Sequence, residues 1–320
     1  VEQSSDVIDW LLAGDPAITW QVRRDLIDDR SGAAADRHRI ATEGWGARLL
    51  SLQDAEGTWA GALYSPKWTS TTYSLLELYR YGLESGHGGA QRGVAVLIDR
   101  ATYIDGGMTF ARTVGKPETC ITGMLVTLAS AFDVSDPRID GLVAWLLNEQ
   151  MDDGGWNCER NRAGATHGSF HTSITVLEAL LERATRVPDP RLDAAMARGH
   201  RFFLDHRLYH SHRTGEVVDP VFTRFSFPPR WHFDALRGID HFRASRAARD
   251  AGLEPAIALV HDRRRADGTW PLQHVHRNRT WFTMERGGRP SRWNTLRCLR
   301  VLRWWASGAD HRSRDDHVLT

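Results

Sequence analysis

Three times along this chain a glycine turn closes on a tryptophan. The copies are Gln53-Asp-Ala-Glu-Gly-Thr-Trp59, Gln150-Met-Asp-Asp-Gly-Gly-Trp156 and Arg265-Ala-Asp-Gly-Thr-Trp270. Each follows an amphipathic segment and leads, through a loop of variable length, into a second helical segment. Recurrence of one such unit at a spacing of about fifty residues is the mark of a repeat architecture, in which no unit buries its apolar face alone.

Six helix pairs fit the pattern: 6–12 with 18–27, 36–52 with 67–81, 91–101 with 118–132, 139–149 with 170–183, 192–205 with 230–244, and 254–264 with 291–305. Asp136-Pro137 and Asp189-Pro190 each place an N-cap before a proline at the first helical position. Leu142, Leu146 and Leu147 keep helical spacing, as do Ile174, Leu177 and Leu181. Alternating Val/Ile/Thr runs are nearly absent, which argues against a β fold. The expectation is an all-α chain whose six antiparallel hairpins close into an (α/α)6 ring. It forms one domain over residues 1–308, and the Arg-, Asp- and His-rich stretch 309–320 is a disordered tail. The loop 209–229, with His210, Pro220, Pro228 and Pro229, is long enough to serve as a lid or rim.

Charge and cysteine content narrow the function classes. A formal net charge of +1 offers no field to recruit nucleic acid. Three scattered cysteines (Cys120, Cys158 and Cys298) do not make a disulfide framework, which points to a reducing cytoplasm. No apolar run reaches the ~18 residues of a transmembrane helix, and the first residues lack the pattern of a signal peptide.

The helix, Gln-x-x-x-Gly-x-Trp turn and second helix resemble the squalene–hopene cyclase and protein-prenyltransferase β-subunit superfamily, an α/α toroid. The resemblance implies structural roles for Gln53, Trp59, Gln150, Trp156 and Trp270. It also implies an enzyme of small-molecule metabolism, terpenoid or otherwise secondary, that binds a hydrophobic substrate in a central cavity. The Asp-x-Asp-Asp tetrad of acid-initiated cyclases is missing, since Asp28-Asp29 and Asp152-Asp153 lack the leading aspartate. Against the prenyltransferases, Arg160 and Arg162 fall where basic residues grip a diphosphate. Phe170-His171-Thr172 is similar to the segment carrying the family's histidine ligand, and His167 and Ser169 stand where Asp-x-Cys is expected. Prenyltransferases need a second subunit; this chain says nothing of such a partner.

Aligning the second helices of the pairs brings Trp20, Trp68, Thr119, Phe170, Trp231 and Trp293 into register, followed by Gln21, Thr69, Cys120, His171, His232 and Asn294. In a closed ring these positions surround one mouth. Cys120, His171 and His232 make a thiolate–imidazole set suited to catalytic zinc, with Cys158 and His167 as alternates. The same residues also fit a metal-free Cys–His nucleophile pair, acid–base groups, or partners of buried carbonyls. Trp20, Trp68, Phe170, Trp231, Trp293 and Asn294 would shape the substrate pocket, or pack the repeats together. Arg160, Arg162, Arg289 and Arg292 would hold an anion at the mouth. Glu118, Asp153 and Asp234 support a competing reading as a carbohydrate-active hydrolase or lyase, with Asp234 also a candidate catalytic group in its own right. A non-catalytic binding module is the third possibility.

Overall fold

The computed structural model describes residues 5–307 apart from Arg112; the expected tail at 309–320 lies outside the described residues. The fold is all-α. In chain order the helices are α1 (Ser5–Leu12), α2 (Pro16–Asp25), α3 (Arg30–Arg39), α4 (Gly44–Leu50), α5 (Thr71–Tyr81), α6 (Gly88–Arg100), α7 (Thr119–Ala131), α8 (Pro137–Asn148), α9 (Arg160–Ala163), α10 (Phe170–Ala184), α11 (Pro190–Asp205), α12 (Ala235–Ala244), α13 (Glu254–Asp262) and α14 (Arg292–Ala306). A short antiparallel hairpin, β1 (Thr102–Ile104) and β2 (Gly107–Thr109), precedes α7.

The expected helix starts at Asp-Pro are present. Asp136 and Asp189 each accept the backbone N–H two residues on, at 2.9 Å, and so cap α8 and α11; Asp15 does the same for α2. Elsewhere the pairs differ from the sequence reading. The expected helix 36–52 is two helices, because the chain turns at Gly44 with φ +63°. The second helices of the second and fifth pairs begin late, at Thr71 and Ala235, so Trp68 and Trp231 sit in the preceding turns. The Asp105-Gly106 hairpin, with both residues at positive φ, takes the place of the tryptophan turn in the third pair.

The three tryptophan turns are built alike. Trp59, Trp156 and Trp270 are fully buried. Each indole N–H donates to the carbonyl ten residues earlier: Leu49, Leu146 and Val260, at 2.7–2.8 Å. Each tryptophan backbone N–H donates to a hydroxyl on the following helix: Thr71, Ser173 and Thr295. The Gln53 and Gln150 amides each donate to two carbonyls, one in their own turn and one in the first helix of the next pair, Gly89 and Ala195. In the last copy Arg264 stands in for the glutamine and reaches Gly268 O at 3.5 Å. The turn glycines Gly57, Gly154 and Gly268 share φ near +80°, a region that L side chains rarely adopt.

The second helices neighbour one another in cyclic order: α5 with α7, α7 with α10, α10 with α12, α12 with α14, and α14 with α2. The step from α2 to α5 is made by Trp20 and Gln21, whose side chains donate to Tyr81 O and Arg80 O. The first helices follow the same order. Gly57 faces Arg92 of α6, Gly154 faces Arg198 of α11, and Gly268 faces Val7 of α1. Arg292 completes the seam by donating to Trp10 O at 3.0 Å. The buried apolar residues, from Val7 to Leu302, form one cluster.

Candidate functional site

The N-terminal ends of the second helices, where the sequence alignment places the site, are filled by side chains and loops. Trp68 is buried, donates its indole N–H to Arg277 O at 2.8 Å and lies under the Arg230 guanidinium. Phe170 packs among Phe202, Phe203, Phe222 and Phe233. His171 accepts the Phe233 N–H on Nδ1 at 2.8 Å. His232 is sandwiched between Trp231 and His276, at centroid distances of 3.7 and 4.0 Å, and meets His171 edge-on. Burial holds all three imidazoles well below their usual range: His171 at about 4, His232 at about 3 and His276 at about 2. Neighbouring histidines push His232 and His276 further down. These rings are therefore neutral at pH 7.

Cys120 faces Cys158 rather than the histidines. Its backbone N–H donates to Cys158 Sγ at 3.0 Å. The contact between the two thiols raises Cys120 and lowers Cys158. His167 bonds Thr166 on the exposed loop. Among the described residues no three His, Cys, Asp or Glu side chains gather around a point that one ion could occupy.

The remaining candidates are spread out. Asn294 is buried and spans Phe225 O and Pro271 O. Asp234 caps α12 through Arg237 N and holds Ser226 through its N–H and hydroxyl. Asp153 accepts the N–H groups of Gly155 and Gly168. Glu118 accepts the Thr109 hydroxyl at 2.6 Å. Arg160 reaches Asn148 O, half-exposed Arg162 lies near Glu118 and Glu159, and Arg289 is exposed. They do not converge with Arg292, which is spent on the α1 seam.

A cavity of about 370 Å3 lies instead among the second helices, at the C-terminal halves of α5, α7 and α10 and beside α2, α12 and α14. That volume is within the range of small-molecule sites. Its floor comes from the long loop expected to be a rim: Phe227 stacks on Trp293 at 3.9 Å, beside Pro229. Trp20 and Trp293, both sequence candidates, do line this cavity. Apolar residues such as Leu83, Phe132 and Leu181 share the wall with many charges, eight arginines (Arg24, Arg37, Arg80, Arg186, Arg237, Arg243, Arg297 and Arg300) against three carboxylates, Glu178, Glu182 and Asp240.

The carboxylates are shared. Arg237 holds both oxygens of Glu178, at 2.8 and 2.7 Å. Burial would raise the Glu178 carboxyl, but Arg237 and Arg80 hold it down at about 2. Asp240 serves Arg243, Arg297 and Arg300 together. Arg300 also reaches Asp25 at 3.2 Å. Some arginines answer helix C-termini, as when Arg37 donates to Gly82 O and Arg186 to Ala131 O. Arg80 is different. Its side chain is largely buried, and its one ionic contact among the described residues is Glu178 at 3.5 Å, an acid already taken by Arg237. Burial lowers its proton affinity. Glu182, one turn beyond Glu178, accepts the Tyr79 hydroxyl at 2.9 Å and is pushed up by burial.

These groups lie beyond the helix starts at which the repeats align. The available signal was charge inside helices that are otherwise apolar, such as Glu178 and Glu182 in α10 and Arg297 and Arg300 in α14.

No family model and no curated protein matches the chain. Among solved structures, a protein from Actinoplanes aligns over 93% of this chain and 90% of its own, at 16% identity and a TM-score of 0.49.

Proposed function

We propose that the chain is an (α/α)6 toroid of the cyclase and prenyltransferase kind, and that it is an enzyme acting on a small organic anion in its central cavity. Ring closure is supported by the cyclic order of neighbours, with Val7 at Gly268 in the place that Arg92 and Arg198 take at the two earlier turns. Arg80 carries the ligand class. A guanidinium held in a cavity with only a share of one carboxylate has unspent attraction for a carboxylate or phosphate group. An apolar portion of the same molecule would rest against Trp20, Phe227 and Trp293. A prenyl diphosphate has both parts. The arginines of the wall favour it over a hydrocarbon substrate without an anionic group.

Glu182 is the proton-transfer group in this reading. Its raised affinity brings it closer to neutral pH, and the Tyr79 hydroxyl orients it. Zinc has no step in the proposal. A sugar-cleaving reading has one observation in its favour: Glu178 and Glu182 sit one turn apart with their affinities pushed in opposite directions. Both oxygens of Glu178 are held by Arg237, however, so it is placed to stabilise charge rather than to attack.

The test is thermal denaturation with inorganic pyrophosphate and with a short prenyl diphosphate, at constant ionic strength. Both should raise the melting temperature, the prenyl compound more, and Arg80→Gln should abolish both shifts. A folded wild-type protein that responds to neither anion would overturn the reading.

A further inference from the structure

Cys158 Sγ lies between two helix starts. It accepts the Cys120 N–H in the first turn of α7 at 3.0 Å and the Thr172 hydroxyl in the first turn of α10 at 3.6 Å. The Cys158 backbone N–H returns to the same Thr172 hydroxyl oxygen at 3.4 Å, which holds the turn in place. Both cysteines are partly exposed, whereas Cys298 is buried inside α14. Neither thiol lines the cavity.

From this pairing we propose that Cys158 is a hydroperoxide-reactive thiol and Cys120 its resolving partner. Donors on two sides favour the thiolate, the form that reacts. The sulfur of Cys158 attacks the O–O bond of a hydroperoxide: an S–O bond forms, the O–O bond breaks, and the leaving oxygen takes a proton as alcohol or water. The resulting sulfenic acid faces Cys120. The Cys120 sulfur attacks it, an S–S bond forms, the S–O bond breaks, and water leaves with the thiol's proton. Two electrons pass from the sulfurs to the peroxide. The bond would tie the start of α7 to the turn before α9.

The full-length protein, reduced and then treated with hydrogen peroxide, is denatured and alkylated with N-ethylmaleimide. Intact mass should show one alkylated thiol in place of three and the loss of two hydrogens. Peptide mapping should link Cys120 to Cys158 and find Cys298 alkylated. In Cys120→Ser the oxidised Cys158 should accumulate as a sulfenic acid that dimedone labels. Three free thiols after peroxide, or a bridge involving Cys298 or a second chain, would overturn the proposal. So would a dimedone-negative Cys120→Ser protein that retains its native circular dichroism.

Discussion

Glu178 neutralises two guanidinium groups at once, and its loss is felt by both. Glu178→Gln leaves Arg80 and Arg237 without a carboxylate, and breaking a buried pair of this kind costs about 3–5 kcal/mol. Urea denaturation at pH 7 should show a loss of that size, and adding Arg80→Gln should return part of it. The sign of the pH dependence follows from the lowered folded value. Glu178 contributes stability above its ordinary 4.5, and that contribution disappears as pH falls toward about 2. Glu182 has the opposite sign. Its folded value is raised, so its stabilising contribution is full below 4.5 and is lost as pH rises through the raised value. Glu182→Gln, which can still accept from Tyr79, should therefore be neutral or stabilising at pH 7 while removing turnover of any substrate. A Glu182→Gln protein that melts several degrees lower would contradict this placement.

At the scale of the element, the glycine–tryptophan turn is the part most legible in the sequence, because its geometry is local. A positive-φ glycine and a buried indole bonded ten residues back leave few other residues possible. Gly154 shows how much of that is backbone: φ is +85°, and a Cβ there would lie 2.4 Å from Arg198 O, a backbone atom. Gly164 has φ +68° with nothing within 4 Å. Gly164→Ala should cost only the left-handed penalty of about 1–2 kcal/mol. Gly154→Ala must also displace α11, so its denaturation midpoint should fall clearly further; equal losses would remove α11 from the account. Helix limits were less legible. Asp-Pro marks α8 and α11, whereas the break at Gly44 depends on how α4 meets α2, with Asp15 capping Trp45 N across 30 residues. Of the residues lining the cavity, the sequence pointed only to Trp20, Gln21 and Trp293. Which helix ends are covered depends on where residues 224–231 and 274–284 return, and that is set by long-range packing rather than by any repeat.

For the whole molecule, the consequence of this packing is acid sensitivity. Five imidazoles are kept neutral by burial: His171 and His200 at about 4, His232 and His241 at about 3, and His276 at about 2. His200 and His241 face each other at 3.1 Å between α11 and α12, so protonating both would place two cations in contact. Folded values below the ordinary 6.5 mean that the unfolded chain takes up protons first, and stability falls as pH drops below 6.5. Five such groups give a slope approaching about 7 kcal/mol per pH unit, an upper bound because four of them are partly solvated. Carboxylate protonation adds to this only near 4.5 and below. A fold with the usual reserve of about 5–15 kcal/mol would then unfold near pH 5 rather than near pH 3. The melting temperature should drop steeply between pH 7 and 5.5, with proton uptake on unfolding measurable by calorimetry in buffers of different ionisation enthalpy. A flat profile across that interval would mean that these imidazoles are hydrated in the folded state.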